Sequence, residues 1–217
     1  MNDLAGLLRQ LGISCAHIAG LAMGGNIALS FAAKYPAAVA SLIIVGSGSG
    51  TLGHDRFVAE SERLARLFEE RGAAIAGGEI AQRPGRRIYG EKDPRGYAEF
   101  RERLQGHSAQ GAAAAIRGVL IGRKTIFEME AELRGIMAPT LVVVGDRDEG
   151  AVDASLFKAR TIRHVGIVML PFTGHTPNLE EPFLFNLHVG EFLAAVSGGR
   201  WASWRGVPSA PRNRGTI

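Results

Sequence analysis

His17-Ile-Ala-Gly-Leu-Ala-Met-Gly-Gly-Asn26 decides how the rest of the chain is read. Apolar residues run into Gly20, a tight turn follows, and the stretch from Asn26 to Tyr35 favours a helix. A strand that turns sharply into a helix lifts one side chain above the end of its sheet. The free N–H groups of the helix's first turn then point at whatever sits there. The pattern Gly-x-Ser-x-Gly uses this elbow to expose a serine nucleophile. Gly20-Leu-Ala-Met-Gly24 keeps the frame, but Ala22 stands in the serine's place, and a methyl group cannot attack a carbonyl.

Upstream of the elbow, Leu4, Leu7, Leu8 and Leu11 recur at helical spacing and predict an amphipathic helix over 3–11, capped by Asn2 or Asp3. Cys15 to Ala19 forms a short strand. Downstream, Ile27, Ala28, Leu29, Phe31 and Ala32 make the next helix apolar nearly all round until Pro36 stops it. Ser41-Leu-Ile-Ile-Val45 reads as a strand covered on both faces, and Gly46 to Gly50 as its flexible exit. No strand pattern appears over 51–138. Phe57, Ser61, Leu64 and Phe68 predict a helix over 55–71, the Gly-, Arg- and Pro-rich stretch 77–90 predicts a loop, and helical runs follow at 94–104, 109–121 and 127–133. Strands resume at 139–144 and 165–170, separated by the turn Gly145-Asp-Arg-Asp148 and a helix over 153–161. Pro171 to His175 is a loop. The last helix carries Phe185, Val189, Phe192 and Val196 as its buried stripe, and from Ser197 on the composition predicts a disordered tail.

Strands alternating with helices, the strands mostly apolar, argue for a parallel α/β sheet with right-handed crossovers. The expected layout is a first core half over 1–50, a helical insertion over 51–138, a second core half over 139–196 and a basic tail over 197–217. The net charge of +4 resides in that tail, which holds Arg200, Arg205, Arg212 and Arg214 and no acid; the body balances 21 basic against 21 acidic residues. A neutral body argues against nucleic acid or a membrane surface as partner. No apolar run reaches the length of a membrane span, and the start shows no signal-peptide pattern. The single cysteine, Cys15, cannot form an internal disulfide, so a cytoplasmic setting is expected. No metal cluster or complete phosphate loop is present, so neither metal nor cofactor is expected.

In parallel α/β sheets ligands sit at the carboxyl ends of the strands. Three loops leaving such ends carry useful groups: the elbow at Ala22, the turn ending in Asp148, and Gly174-His-Thr-Pro177 with His175. Together Gly20-Leu-Ala-Met-Gly-Gly25, Pro139-Thr-Leu-Val-Val-Val-Gly-Asp-Arg-Asp148 and Gly174-His-Thr-Pro-Asn-Leu-Glu-Glu-Pro182 resemble the carboxyl-terminal two thirds of an α/β-hydrolase-fold enzyme, in the family's order of nucleophile, acid and histidine. The resemblance covers about 3–196 and implies a partial fold of about four mostly parallel strands, with the insertion as the family's cap.

It also implies roles. Ala22 holds the nucleophile position, Asp148 the acid that orients the imidazole, His175 the general base, and the Met23 N–H one oxyanion donor. Asp146 competes with Asp148, and either Asp could serve only as a turn residue; His17, His54, His107, His164 and His188 read as structural. Ser-Met-Gly-Gly is typical of the family's esterases, lactonases and carbon–carbon hydrolases. The parent activity implied is therefore hydrolysis of an ester, lactone or C–C bond of a small molecule, impaired here by Ala22. The alternative is a non-catalytic small-molecule-binding protein. Arg83, Arg86 and Arg87 could grip an acidic ligand or simply be solvated, so the expected partner is an apolar or acidic small molecule. The elbow strand lacks the neighbour it has in the family. That leaves three expectations open: a fragment, marginal stability, or a homodimer through the exposed edge strand.

Overall fold

The computed structural model describes residues 1–49 and 54–201, so Gly50 of the strand exit and 202–217 of the tail lie outside the described residues. Four parallel strands form one sheet in the order β1-β2-β3-β4: β1 (Ala16–Leu21), β2 (Val39–Val45), β3 (Thr140–Gly145) and β4 (Val165–Leu170). The unbroken apolar runs occupy the two central positions. β3 is buried along its whole length and β2 nearly so, whereas β1 and β4 are the half-exposed edges.

Each face has its own cover. α1 (Asn2–Gln10), α2 (Met23–Lys34), α7 (Glu130–Gly135) and α8 (Glu149–Thr161) pack on one side around Leu29, Phe31, Leu42, Ile44, Val142 and Leu133. α10 (Pro182–Ser197) covers the other, where Phe192 meets Ile43, Val45, Leu141 and Val143. At about 1.5–3 kcal/mol per buried aliphatic or aromatic side chain, these two layers hold the strand ends in register.

The segment between β2 and β3 is helical, as the missing strand pattern implies. α3 (His54–Ala81), α4 (Pro84–Lys92), α5 (Pro94–Gln105), α6 (Ala109–Ala115) and a π-helical stretch (Ile116–Ile121) run in succession. α3, α6 and the π-helical stretch share a core of their own around Leu64, Phe68, Ala76, Ala113 and Ile116. α4 is pinned back to the sheet half by an ion pair between Lys92 and Glu181.

Four expectations need correction. The stretch 77–90 is not a loop: α3 continues past a kink at Gly72 (φ +76) to Ala81, and α4 starts at Pro84, where a proline's fixed φ suits a helix's first position. Gly77 is required there because a side chain would strike the Leu104 carbonyl of α5. Neither Asn2 nor Asp3 caps α1; the Asn2 side chain accepts instead from Lys34 and Tyr35, tying α1 to α2. The leucine stripe of α1 is only half covered, with Leu8 buried but Leu7 50% and Leu11 61% exposed. Finally, order extends past Ser197: the Trp201 indole donates to the His164 carbonyl at 3.0 Å and packs edge-on to Phe192 and against Gly166.

Candidate active site

At the end of β1 the chain turns through Ala22, whose φ of 51° and ψ of −112° place an L-residue where side chains rarely sit. Its amide donates to the Val45 carbonyl at 2.8 Å and its carbonyl accepts from Gly25 and Asn26, so the turn is anchored to both β2 and α2. Two glycines make the sharpness possible. A side chain at Gly20 would collide with the Gly24 carbonyl, and one at Gly25 would meet Ser47 Cβ at 2.8 Å. Gly24, the motif's second glycine, has open space around it. Ala22 offers α2 no side-chain cap and the first turn holds no acid, so the Met23 and Gly24 N–H groups carry the positive end of a 12-residue helix.

The acid and histidine loops meet at the same end of the sheet. His175 Nδ1 lies 2.8 Å from Asp148 Oδ2, with both side chains largely buried at 16% and 9% exposure. Asp146 is engaged elsewhere, accepting from the Thr173 amide at 3.1 Å, so Asp148 is the one that meets the imidazole. The His175 amide donates to the Gly85 carbonyl at 2.7 Å, which seats the start of α4 directly on the histidine loop. Gly46, next to the Val45 that holds the elbow, runs against the pair. A side chain there would sit 3.0 Å from the His175 carbonyl and 3.3 Å from Asp148 Oδ2, and its φ is +49°. Ala22, Met23, Asp148 and His175 are thus carried by three carboxyl ends of one sheet and joined through β2. His17 is bonded instead to Ser41 at 2.8 Å, which marks it as structural.

Two groups, Glu180 and Lys158, escaped the sequence reading, and a third, Arg86, was named in it only as one of a cluster. Glu180, on the short α9 (Pro177–Glu180), is buried and accepts from Gly174 N at 2.5 Å, Thr176 N at 2.8 Å and Thr176 Oγ1 at 2.9 Å, fixing both sides of His175. Its signal was local: a Glu five residues after a loop histidine. Lys158 on α8 is fully buried and donates to the Ser47 carbonyl. Burial pushes its pKa down to about 7, the nearby Arg123 adding to the fall and Asp148 opposing it. Nothing in the α8 sequence marks Lys158 as interior. Arg86, one of the three arginines flagged for an acidic ligand, sits within the field of Asp148. Burial lowers it to about 10, Arg83 adds to the fall, and Asp148 opposes it. Among the described residues Arg86 makes no ion pair within hydrogen-bond distance, and Asp148 is the carboxylate whose field reaches it.

Among the described residues no three His, Cys, Asp or Glu side chains converge as metal ligands, and no helix is long and apolar enough to cross a membrane. Among the described residues lie open cavities of about 550 and 610 Å³, and neither is lined by Ala22, Asp148 or His175.

A parallel sheet with a strained strand-to-helix elbow, an acid after the third strand and a histidine after the fourth defines the α/β-hydrolase architecture. The chain belongs to the Alpha/beta hydrolase family, whose sequence profile matches residues 1–186. Among its relatives is a putative 2-succinyl-6-hydroxy-2,4-cyclohexadiene-1-carboxylate synthase of Bacillus subtilis (strain 168), 28% identical over 90% of this chain and 72% of the relative. A putative carbamate hydrolase RutD of Variovorax paradoxus (strain S110) is 30% identical over the same shares. Among solved structures, a malate-bound thermophilic esterase from Thermogutta terrifontis superimposes with a TM-score of 0.79 at 28% identity, over 89% of this chain and 70% of the esterase.

Proposed function

We propose that this chain is a small-molecule hydrolase of the α/β family whose own turnover is absent or strongly impaired, because the nucleophile position is Ala22. The observation that carries the reading is the Ala22 elbow, strained at φ 51°, on the same sheet end as the Asp148–His175 pair. With a serine at that position, His175 would take the hydroxyl proton, Asp148 would steady the imidazolium, and the Met23 N–H would meet the developing oxyanion. His175 would hand that proton to the departing group, and water activated by the same, now neutral, histidine would release the acyl intermediate as the acid. The parent substrate is an ester, lactone or C–C bond of a small molecule. The unpaired Arg86 beside the pair favours a ligand with an acidic group, in keeping with a relative named for a carboxylate and a neighbour holding malate. The cap reading of 51–138 is supported for α3, α6 and the π-helical stretch, which have a core of their own, whereas Ile126, Met129, Leu133 and Ile136 pack into the core of the sheet. The exposed, unpaired Cys15 suits work in the cytoplasm.

The test is fluorophosphonate labelling of Ala22→Ser with the unmodified chain as control. Adduct at position 22 that disappears in Ala22→Ser/His175→Ala supports an assembled site. A folded Ala22→Ser protein that takes no label overturns the hydrolase reading. The second reading, a non-catalytic binding protein, is favoured by the retention of a strained elbow without a nucleophile; saturable binding without turnover of a carboxylic ester and its acid would support it.

A further inference from the structure

Lys158 is fully buried, and the proposed chemistry gives it no part. It shares the inner face of α8 with Ala151, Ala154, Ser155 and Thr161. Helical side chains lean toward the helix N-terminus, so its stem runs toward the end of α8 that starts from Asp148. There the amine donates to the Ser47 carbonyl in the exit from β2. That exit is pressed against the acid. A side chain at Gly48 would lie 2.7 Å from the Gly150 carbonyl of α8, and one at Gly46 would lie 3.3 Å from Asp148 Oδ2. The amine therefore pegs the backbone one residue away from the Gly46 that abuts Asp148.

The amine has this acceptor but makes no ion pair among the described residues, and the buried hydroxyls of Ser47 and Ser155 do not bond to it. Burial is the chief cause that brings its pKa down to about 7. Arg123, near the end of the helical insertion, adds to the fall, and Asp148 opposes it. Asp148 is claimed from other sides as well. His175 Nδ1 lies 2.8 Å from its Oδ2, and the Arg86 guanidinium of α4 lies within its field. Asp146 is taken up by the Thr173 amide and does not share the load. The acid is thus shared by an imidazole and two cations. Arg86 keeps its charge up to about 10, so Lys158 is the cation that discharges near neutral pH.

We infer that Lys158 is a positioning residue for the acid: charged, it competes with His175 for the field of Asp148, and discharged, it leaves that field to His175. On discharge the proton passes to solvent. The neutral amine still has an N–H to donate to the Ser47 carbonyl, so the exit stays pegged in both states. A cation behind the acid opposes the imidazolium that the proposed hydrolysis forms, so the pair works at full strength only once Lys158 has lost its charge. That use of the pair rests on the hydrolase reading; the coupling of Lys158 to Asp148 does not.

Carbon NMR of the lysine Cε atoms across pH tests the coupling in the 217-residue chain, with the Lys158 resonance identified by its absence in Lys158→Met. Its midpoint is expected near 7 and should fall by about half a pH unit or more in Asp148→Asn, a roughly threefold loss of proton affinity. A midpoint that ignores Asp148→Asn overturns the inference. The second arm uses fluorophosphonate labelling in the Ala22→Ser background. The ratio of the labelling rate at pH 8 to that at pH 6 should fall about threefold when Lys158→Gln is added, because the charge that restrains the pair at the lower pH is gone. Loss of the peg alone would slow both rates alike, so an unchanged ratio also overturns the inference. The two arms use different variants, and either one decides where the other's variant fails to fold. A Lys158 midpoint that follows Asp148, in a chain whose folded Ala22→Ser form takes no label, would uphold the coupling and overturn the hydrolase reading alone.

Discussion

Lys158→Met isolates the group whose burial is hardest to reconcile with a simple core. In the folded protein the amine titrates near 7, against an ordinary value of 10.5, because α8 and the β2 exit take it out of water. The sign follows from proton binding. Below pH 7 both folded and unfolded chains carry the charge, and the folded state bears the full cost of burying it. Between 7 and 10.5 the unfolded chain holds more protons, so wild-type stability climbs with pH across that window. Each pH unit between the folded and unfolded titrations is worth about 1.4 kcal/mol, so the burden is about 4 kcal/mol at pH 7 and about 2 kcal/mol at pH 9. Loss of the Ser47 carbonyl's partner in the variant subtracts roughly 1–3 kcal/mol at every pH. Urea unfolding followed by far-UV circular dichroism, at pH 7 and pH 9 on both proteins, separates the two effects. The wild type should gain about 2 kcal/mol relative to Lys158→Met on going from pH 7 to 9, while groups common to both proteins cancel. Parallel stability curves would show that Lys158 titrates as a solvated lysine and would refute the reasoning.

Ala22→Gly should stabilise the fold by about 1 kcal/mol, since glycine accepts positive φ without the Cβ penalty; a lowered midpoint in thermal melts would contradict the strained elbow. Glu180→Gln should loosen the histidine loop, costing roughly 1–3 kcal/mol and cutting fluorophosphonate labelling in an Ala22→Ser background. Gly20→Ala has no room beside the Gly24 carbonyl, so it should abolish labelling in that background even where circular dichroism stays native. The open edge of β1 predicts concentration-dependent association by sedimentation velocity, and a single monomer species at high concentration would count against pairing through that edge.

The fold was legible because its signals are short-range. Ser41 to Val45 and Thr140 to Val144 are continuous apolar runs, and only a strand buried on both faces uses such a run without alternation. The elbow was legible because its glycines are demanded by backbone collisions a few residues apart, although the tight position proved to be Gly25 rather than Gly24. Acid and histidine were findable because each leaves a strand end through a recognisable turn. What stayed hidden depends on packing between distant segments. Gly and Arg between 77 and 90 look like loop residues until α5 and the histidine loop are placed against them. Leu7 and Leu11 look like core until their side of α1 is seen uncovered. Lys158 and Arg123 look like surface charges, yet both lie where the β2 exit, α8 and the end of the helical insertion converge. The same convergence bears on the elbow. The Ser47 that receives Lys158 also lies beneath Gly25, and its neighbour Gly46 abuts Asp148. Strain at Ala22, the seating of the acid and the buried amine are therefore linked through one short exit, Gly46 to Ser49. A change in the charge of Lys158 should therefore bear on the acid, since Asp148 lies within its field.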